Sequence, residues 1–413
     1  IIYHCDVIKD YDSIIDYQMA KTKYFFDRKD FLNAWNSCLS AVKNLEKIDT
    51  KILNTKIKEC ITSLMQISII LEKCEIAIKS YQFWQKSLAR DFKILWLYSK
   101  LLSKCNKYNQ ALKTLESAEK VASPDEINDI LISKIEIYTS SADYSTEQSA
   151  ELMQKISLDK LSPVQKIDFL IQKANYQYTS AQYKKAIENL KIAEKISQKA
   201  SILFQLGRIY KLIGDNYNIQ NILPKAVHYY EKAAGISKSE GDIFNLGNIY
   251  SSWNLVDLKK GNLNKGIEKS KKALHNYETL QYLSGIGKVN LILARTNYKL
   301  GKFRESNRYF KDALKVAHRI KDRKLEKKIL YRYSFLKLKI SSPAVFTNFL
   351  YKNYPEYFKN GKITSINSFL KNYIFYLVQT GKEEYIGNIL QQIENQQVDY
   401  TLEKEFILQA YGY

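Results

Sequence analysis

Proline, glycine, cysteine and histidine are all scarce in this 413-residue chain, and each shortage excludes something. Five prolines and 14 glycines are too few breakers for a loop-rich or β-rich fold, and they suit helices joined by short turns. The five cysteines, Cys5, Cys38, Cys60, Cys74 and Cys105, are odd in number and form no CxxC pair. Neither a zinc knuckle nor a disulfide framework is expected from that spacing, and a reducing, cytoplasmic setting fits it. The four histidines, His4, His228, His275 and His318, never fall four apart, so no metal site is expected. No run reaches the ~18 apolar residues of a membrane span. Ile61 to Leu71 comes nearest and is broken by Thr62, Ser63 and Gln66. No signal peptide is visible. The chain opens at Ile1, without a methionine and already in helical periodicity, so it is expected to be a piece of something longer.

Charge is the one quantity in excess, at a formal +21. It comes from 55 Lys against only 9 Arg, a mixture that AT-rich coding produces as readily as selection does. By itself it supports solubility and diffuse anion attraction. No catalytic motif is legible and no cofactor is expected. Gly285-Ile286-Gly287-Lys288 superficially looks like a phosphate loop, but Val289 stands where Ser or Thr would bind magnesium. The bland reading of Gly287 is as one member of a repeated column. An enzyme is therefore not expected.

Small residues recur at a fixed step. Ala193, Ala233, Ala273 and Ala313 are 40 apart; Ala186, Ala226, Gly266 and Ser306 run seven positions ahead of them; Gly207, Gly247 and Gly287 form a third column. Side chains seven apart share a helical face, and small ones let a second helix approach closely. A period of this length predicts a solenoid of helix pairs. Further helices are predicted from Asp30, with Ala34 and Ala41 on one face, over Leu95–Leu102 and Gln110–Ala122, and after Ser123-Pro124 and Ser162-Pro163. A longer turn is expected near Ser140 to Thr146. No period-2 run supports a strand.

Leu206-Gly207-x-x-Tyr210 followed by Ala226, Tyr230 and Ala233, and Leu246-Gly247-x-x-Tyr250 followed by Gly266 and Ala273, resemble the tetratricopeptide repeat (TPR) family. The resemblance implies an all-α, TPR-like α-solenoid, a right-handed superhelix of antiparallel helix pairs. The stretch from Gly207 to Ala226 is longer than in the family pattern, so the first helices are expected to be longer or broken. Tyr3-His4, Lys9-Asp10-Tyr11, Tyr17-x-x-Ala20 and Phe31-x-x-Ala34 resemble the start of the TPR region in signal-transduction ATPases of the STAND class. The 40-residue period is also similar to that of peptide-pheromone TPR regulators. Residues 1–340 are expected to form the array. Residues 341–413, after Ser341-Ser342-Pro343, are expected to form a helical capping segment, with Gln391, Gln392 and Gln396 toward its polar end.

These resemblances imply a non-enzymatic sensor or scaffold region of a larger signalling regulator, taking a protein or extended peptide in its concave groove. A free-standing receptor for a small signalling peptide is the sibling reading. The position after each columnar glycine faces inward in the family, which implies a partner-binding row of Arg208, Asn248 and Lys288, with Lys211, Ser251 and Leu291 three positions on. Charge-assisted hydrogen bonds from Arg and Lys would suit a carboxylate. A different class of function rests on residues 301–340, which carry 14 Lys or Arg against 4 Asp or Glu. Arg304, Arg308, Lys311, Lys315 and Arg319 form one helical stripe, and Lys324, Lys328, Arg332 and Lys339 a second. A solvated helix face is the bland reading; an acidic protein or a nucleic acid is the functional one.

Overall fold

A computed structural model describes residues 10–47, 54–88, 90–141 and 146–341, together with Val345, Phe349, Lys352 and Asn353. The fold is an all-α, TPR-like α-solenoid of 17 helices among the described residues, without a strand. The helices are α1 (Tyr11–Asp27), α2 (Phe31–Leu45), α3 (Asn54–Leu71), α4 (Cys74–Leu88), α5 (Phe92–Lys104), α6 (Tyr108–Glu119), α7 (Pro124–Ser140) and α8 (Thr146–Gln154). After a 3-10 turn at Leu158–Lys160 come α9 (Pro163–Thr179), α10 (Tyr183–Lys199), α11 (Leu203–Ile219), α12 (Leu223–Ser239), α13 (Ile243–Lys259) and α14 (Leu263–Thr279). The series ends with α15 (Leu283–Lys299), α16 (Phe303–Arg319) and α17 (Arg323–Ile340). Each odd-numbered helix up to α15 packs on the even-numbered one that follows it. The chain divides into two compact units, Ile1–Tyr282 and Leu283–Tyr413.

From α9 onward the helices start at a constant step, from Pro163, Tyr183 and Leu203 through to Phe303 and Arg323. The expectation of longer first helices is met by unbroken ones of constant length. One device sets this rhythm. The middle residue of every connection in the series has a left-handed backbone: Ala181, Ser201, Asn221, Gly241, Gly261, Gln281, Gly301 and Lys321, with φ from 52° to 76°. The next N–H then reaches back to a carbonyl in the last turn of the helix just ended, as in Gln182 to Gln177 at 2.7 Å, Asp242 to Ser237 at 2.8 Å and Asp322 to Ala317 at 3.0 Å. That bond satisfies an orphan carbonyl in the Schellman manner. The same residue's carbonyl opens the following helix, accepting from Ala186 at Gln182 and from Leu246 at Asp242. One residue thus ends a helix and starts another. Ser123 and Ser162 precede the expected proline-led starts, each with a capping box.

The columns read from sequence are where helices touch. Ala193, Ala233, Ala273, Ala313, Ala186, Ala226 and Ser306 are all fully buried. Gly247 permits the closest approach: a Cβ there would lie 2.5 Å from the Tyr277 ring. Tyr230 and Phe310 are buried as core wedges, as the sequence suggests. Gly285 to Lys288 lies inside α15, and a Cβ on Gly287 would sit 3.0 Å from Leu325, so the segment is a helix contact and not a phosphate loop.

Contrary to the expectation from cysteine spacing, Cys74 and Cys105 form a disulfide, with Cα atoms 6.1 Å apart. The sequence hides the pair because 31 residues separate them; the fold returns α5 alongside α4, so the residue after α5 meets the first of α4. Cys38 and Cys60 are free and buried, and burial pushes both thiols up. The expected turn near Ser140–Thr146 falls between α7 and α8, and residues 142–145 lie outside the described ones. So does the capping segment 341–413, apart from Ser341, Val345, Phe349, Lys352 and Asn353.

Gly261 tests the connection device cleanly, because a Cβ there would meet nothing within 4 Å. Only its φ of 76° is at stake. Gly261→Ala should cost about 1–2 kcal/mol from left-handed strain, read as a lower denaturant midpoint. Gln281→Gly should raise that midpoint.

Candidate functional site: a cavity lined by the first helices

The first unit closes on itself. Lys29, in the α1–α2 connection, meets Glu240, in the α12–α13 connection, at 3.1 Å across 211 residues of sequence. Tyr282 donates its hydroxyl to Glu72, in the α3–α4 connection, at 2.8 Å across 210 residues. Connections from early repeats thus meet connections from late ones, through side chains alone in these two bonds.

A cavity of about 810 Å³ lies within this closed unit. Its lining comes from α1, α3, α5, α7, α11 and α13, with the α1–α2 connection, Phe31 and Asp242. First helices from Phe26 to Asn248 face one space, which makes this the inner face of the unit. The apolar part of the lining is Phe26, Phe31, Ile69, Ile70, Ile137, Leu212 and Phe244. The charged part is Asp27, Lys29, Lys100, Lys104, Glu136, Arg208, Lys211 and Asp242, interleaved with Ser99, Ser103, Ser133, Gln205, Asn245 and Asn248. Such a mixture of apolar surface and a few convergent polar groups is what ligand cavities of this size present.

The polar groups are held by their neighbours. Trp96 donates from its indole to Ser133 at 2.9 Å and lies under the Lys100 ammonium, 3.9 Å from the ring centroid. Burial pushes the Lys100 ammonium below the ordinary lysine value, against the pull of Glu136 and Asp168. Burial pushes the Glu136 carboxyl up, but Lys104, Lys100 and Arg208 outweigh it and hold the group low. Lys104 reaches Glu136 at 3.5 Å. Gln205 donates to Asp168 at 3.1 Å.

Of the row expected from sequence, Arg208, Lys211 and Asn248 line the cavity. Lys211 is paired with Asp215 at 2.6 Å, and Asp215 also accepts from Tyr230 at 2.7 Å. Asn248 accepts from Tyr277 at 2.8 Å through its carbonyl. Arg208 makes no hydrogen bond or ion pair among the described residues. Ser251 is not in the lining; it lies beside the Tyr277 hydroxyl. Lys288 is exposed on α15, in the second unit, and Leu291 is buried there. The stripe residues Arg304, Arg308, Lys311, Lys315 and Arg319 are all exposed on α16.

Sequence reasoning missed Lys100, Lys104 and Glu136, because α5 and α7 lie ahead of the strict 40-residue columns. A signal was present: Trp96, Lys100 and Lys104 step by four, which puts one aromatic and two cations on one face. Among the described residues no group of three His, Cys, Asp or Glu could hold a metal ion, and no helix is long and apolar enough to cross a membrane.

Lys29→Glu combined with Tyr282→Phe should release the seam and broaden the distance between spin labels placed beside residues 29 and 240. Adding Glu240→Lys should narrow it again. The unit should stay folded throughout, since partly exposed pairs contribute only about 0.2–1 kcal/mol. Glu136 sets a pH effect. Its carboxyl titrates lower folded than unfolded, so the unfolded chain takes the proton first as pH falls. Its stability contribution is complete above the ordinary value of 4.5 and is lost as pH drops through the lower folded one. The melting-temperature gap between the parent chain and Glu136→Gln should therefore be widest near neutral pH and shrink under acid.

Several solved structures are similar in fold. A STAND protein with a tetratricopeptide repeat sensor from Pyrococcus horikoshii is similar over 80% of this chain and 52% of its own, at 14% identity and a TM-score of 0.53. This chain thus spans about half the length of that protein. A Rap protein complexed with competence and sporulation factor is 12% identical, with coverage of 81% and 99% and a TM-score of 0.49. A tetratricopeptide repeat protein from Parabacteroides merdae is 16% identical, with coverage of 67% and 99% and a TM-score of 0.44. No curated protein matches the chain. A family model described as an uncharacterized protein conserved in bacteria (DUF2225) matches residues 129–336, half of the chain, and the chain belongs to that family.

Proposed function

We propose that this chain is a non-enzymatic TPR sensor region that holds an extended peptide or unfolded protein segment in the cavity of its first unit. One observation carries the reading: six first helices converge on an 810 Å³ cavity in which Arg208, though close enough to Glu136 to help hold it ionised, makes no hydrogen bond or ion pair among the described residues. A half-buried guanidinium in such a place is ready for a carboxylate, which it can grip with two parallel bonds. Asn248 spends its carbonyl on Tyr277 and keeps its NH2 for a backbone acceptor. The apolar lining around Phe26, Phe31 and Phe244 suits neighbouring side chains of the same segment. Lys211, committed to Asp215, supports the rim and does not anchor.

The sensor named in the Pyrococcus horikoshii protein suggests the wider role. In that reading the chain belongs to a larger signalling regulator.

The test is a library of extended peptides, acidic at the C-terminus or internally, selected against the full chain and measured by calorimetry. Arg208→Ala with Asn248→Ala should weaken a selected peptide by at least ~2 kcal/mol, the scale of a desolvated anchor, with unchanged melting temperature. Unchanged affinity, or peptides that crosslink outside the cavity, would sink the proposal.

A further inference from the structure

The second unit has chemistry of its own. Its residues 283–340, which carry α15 to α17, hold 17 Lys or Arg against 4 Asp or Glu, 13 of the chain's 21 net charges. Lysine excess alone could be coding bias, but arginine cannot be explained that way. The chain has 9 arginines, and six of them fall between α15 and α17: Arg295, Arg304, Arg308, Arg319, Arg323 and Arg332. A sequence that uses lysine nearly everywhere else turns to guanidinium here. Guanidinium is the cation that grips phosphate in a fixed, two-toothed geometry.

Few of these cations are paired with acids, although Arg308 lies over the Tyr309 ring at 4.9 Å. On α16, Arg304, Arg308, Lys311, Lys315 and Arg319 are exposed. The helix's own acids are Glu305 and Asp312, and the ion pair within the stripe is a loose 3.8 Å contact between Lys315 and Asp312. Glu326 of α17 is engaged by His318 at 2.9 Å. Cations instead crowd one another. Burial and the Lys311 ammonium hold Lys337 below the ordinary lysine value, and burial with Arg332 does the same to Arg295. Such crowding is costly unless an anion arrives from outside.

We propose that the α16 face of the second unit, with Lys337 beside it, is a docking surface for the phosphate backbone of double-helical nucleic acid, independent of the peptide-binding cavity. Two features select this partner. The stripe is straight and rigid, about 22 Å from Arg304 to Arg319 at 1.5 Å per residue, a length along which a duplex presents about a dozen phosphates. Among the side chains of α15 to α17 whose burial is described, no large apolar or aromatic one is exposed, short of Ile340 at the end of α17. A single strand needs stacking platforms, and a protein partner needs an apolar anchor. A surface with cations and neither of those reads backbone charge and not base identity.

The experiment is fluorescence anisotropy of a labelled mixed-sequence duplex with the full chain, titrated with KCl. Five phosphate contacts should give a slope of log K against log salt of about −4 to −5. Arg304→Gln, Arg308→Gln, Lys311→Gln and Arg319→Gln together should flatten that slope by about 3 or more, with the circular dichroism melt unchanged. As a second variant, Arg304→Lys, Arg308→Lys and Arg319→Lys keep the charge and the helix; binding should weaken several-fold with the slope preserved. The proposal is overturned by no retention of duplex at low salt, by a slope that survives the four-residue change, or by a single strand binding more tightly than the duplex. Polyglutamate binding more tightly than a duplex of equal charge would assign the face to an acidic protein and overturn it as well.

Discussion

The helix series from α9 onward depends on one backbone hydrogen bond, repeated at each connection. A left-handed residue bends the chain, the following N–H reaches back to a carbonyl in the helix just ended, and the next helix starts from the same residue. Because the bend is made by backbone geometry, different side chains can occupy it. Glycine holds three of the eight left-handed positions from α9 onward, while Ala181, Ser201, Asn221, Gln281 and Lys321 hold the others. Of those five, Ala181, Ser201, Gln281 and Lys321 accept left-handed strain of about 1–2 kcal/mol each, and Asn221 less. The packing of the helix pairs must outweigh it, and the buried alanine columns show how: they bring helices close enough for rings such as Tyr277 to lie against a bare glycine backbone.

The repeat was legible in the sequence because its contacts are made by small residues, and chance seldom sets small residues at a fixed step. Ala193 to Ala313 and Gly207 to Gly287 gave away the helix pairs. The finer step, from one helix to the next, was hidden because its determinant is a backbone angle occupied by six different residue types. The inward row was readable only where the helix register is strict. Arg208 and Asn248 share the cavity, whereas Lys288 stands in the second unit. Lys100, Lys104 and Glu136 come from repeats whose columns have drifted, so no period pointed to them. The disulfide was illegible for another reason: Cys74 and Cys105 become neighbours only through the return of α5.

The two units divide charge unequally, and that division separates two kinds of recognition. In the first, acids and cations interleave around the cavity, so a ligand must displace existing partners or find an uncommitted group. In residues 283–340 of the second, cations outnumber acids fourfold and crowd one another. The first arrangement favours selectivity, since most polar groups are already satisfied and reward only a matching shape. The second favours long-range attraction, which fades with ionic strength and is indifferent to detail.

The closed seam of the first unit carries a consequence for how such a protein can change over generations. Open solenoids tolerate gain or loss of whole repeats, because each repeat touches only its neighbours. Here Lys29 must find Glu240, and Glu72 must find Tyr282, after nearly the same stretch of chain, 211 and 210 residues. A repeat duplicated or deleted between Glu72 and Glu240 would shift both later partners together and leave both earlier ones facing the wrong connection. The seam therefore favours one repeat number in this unit, and variation that keeps it falls on the side chains that face the cavity.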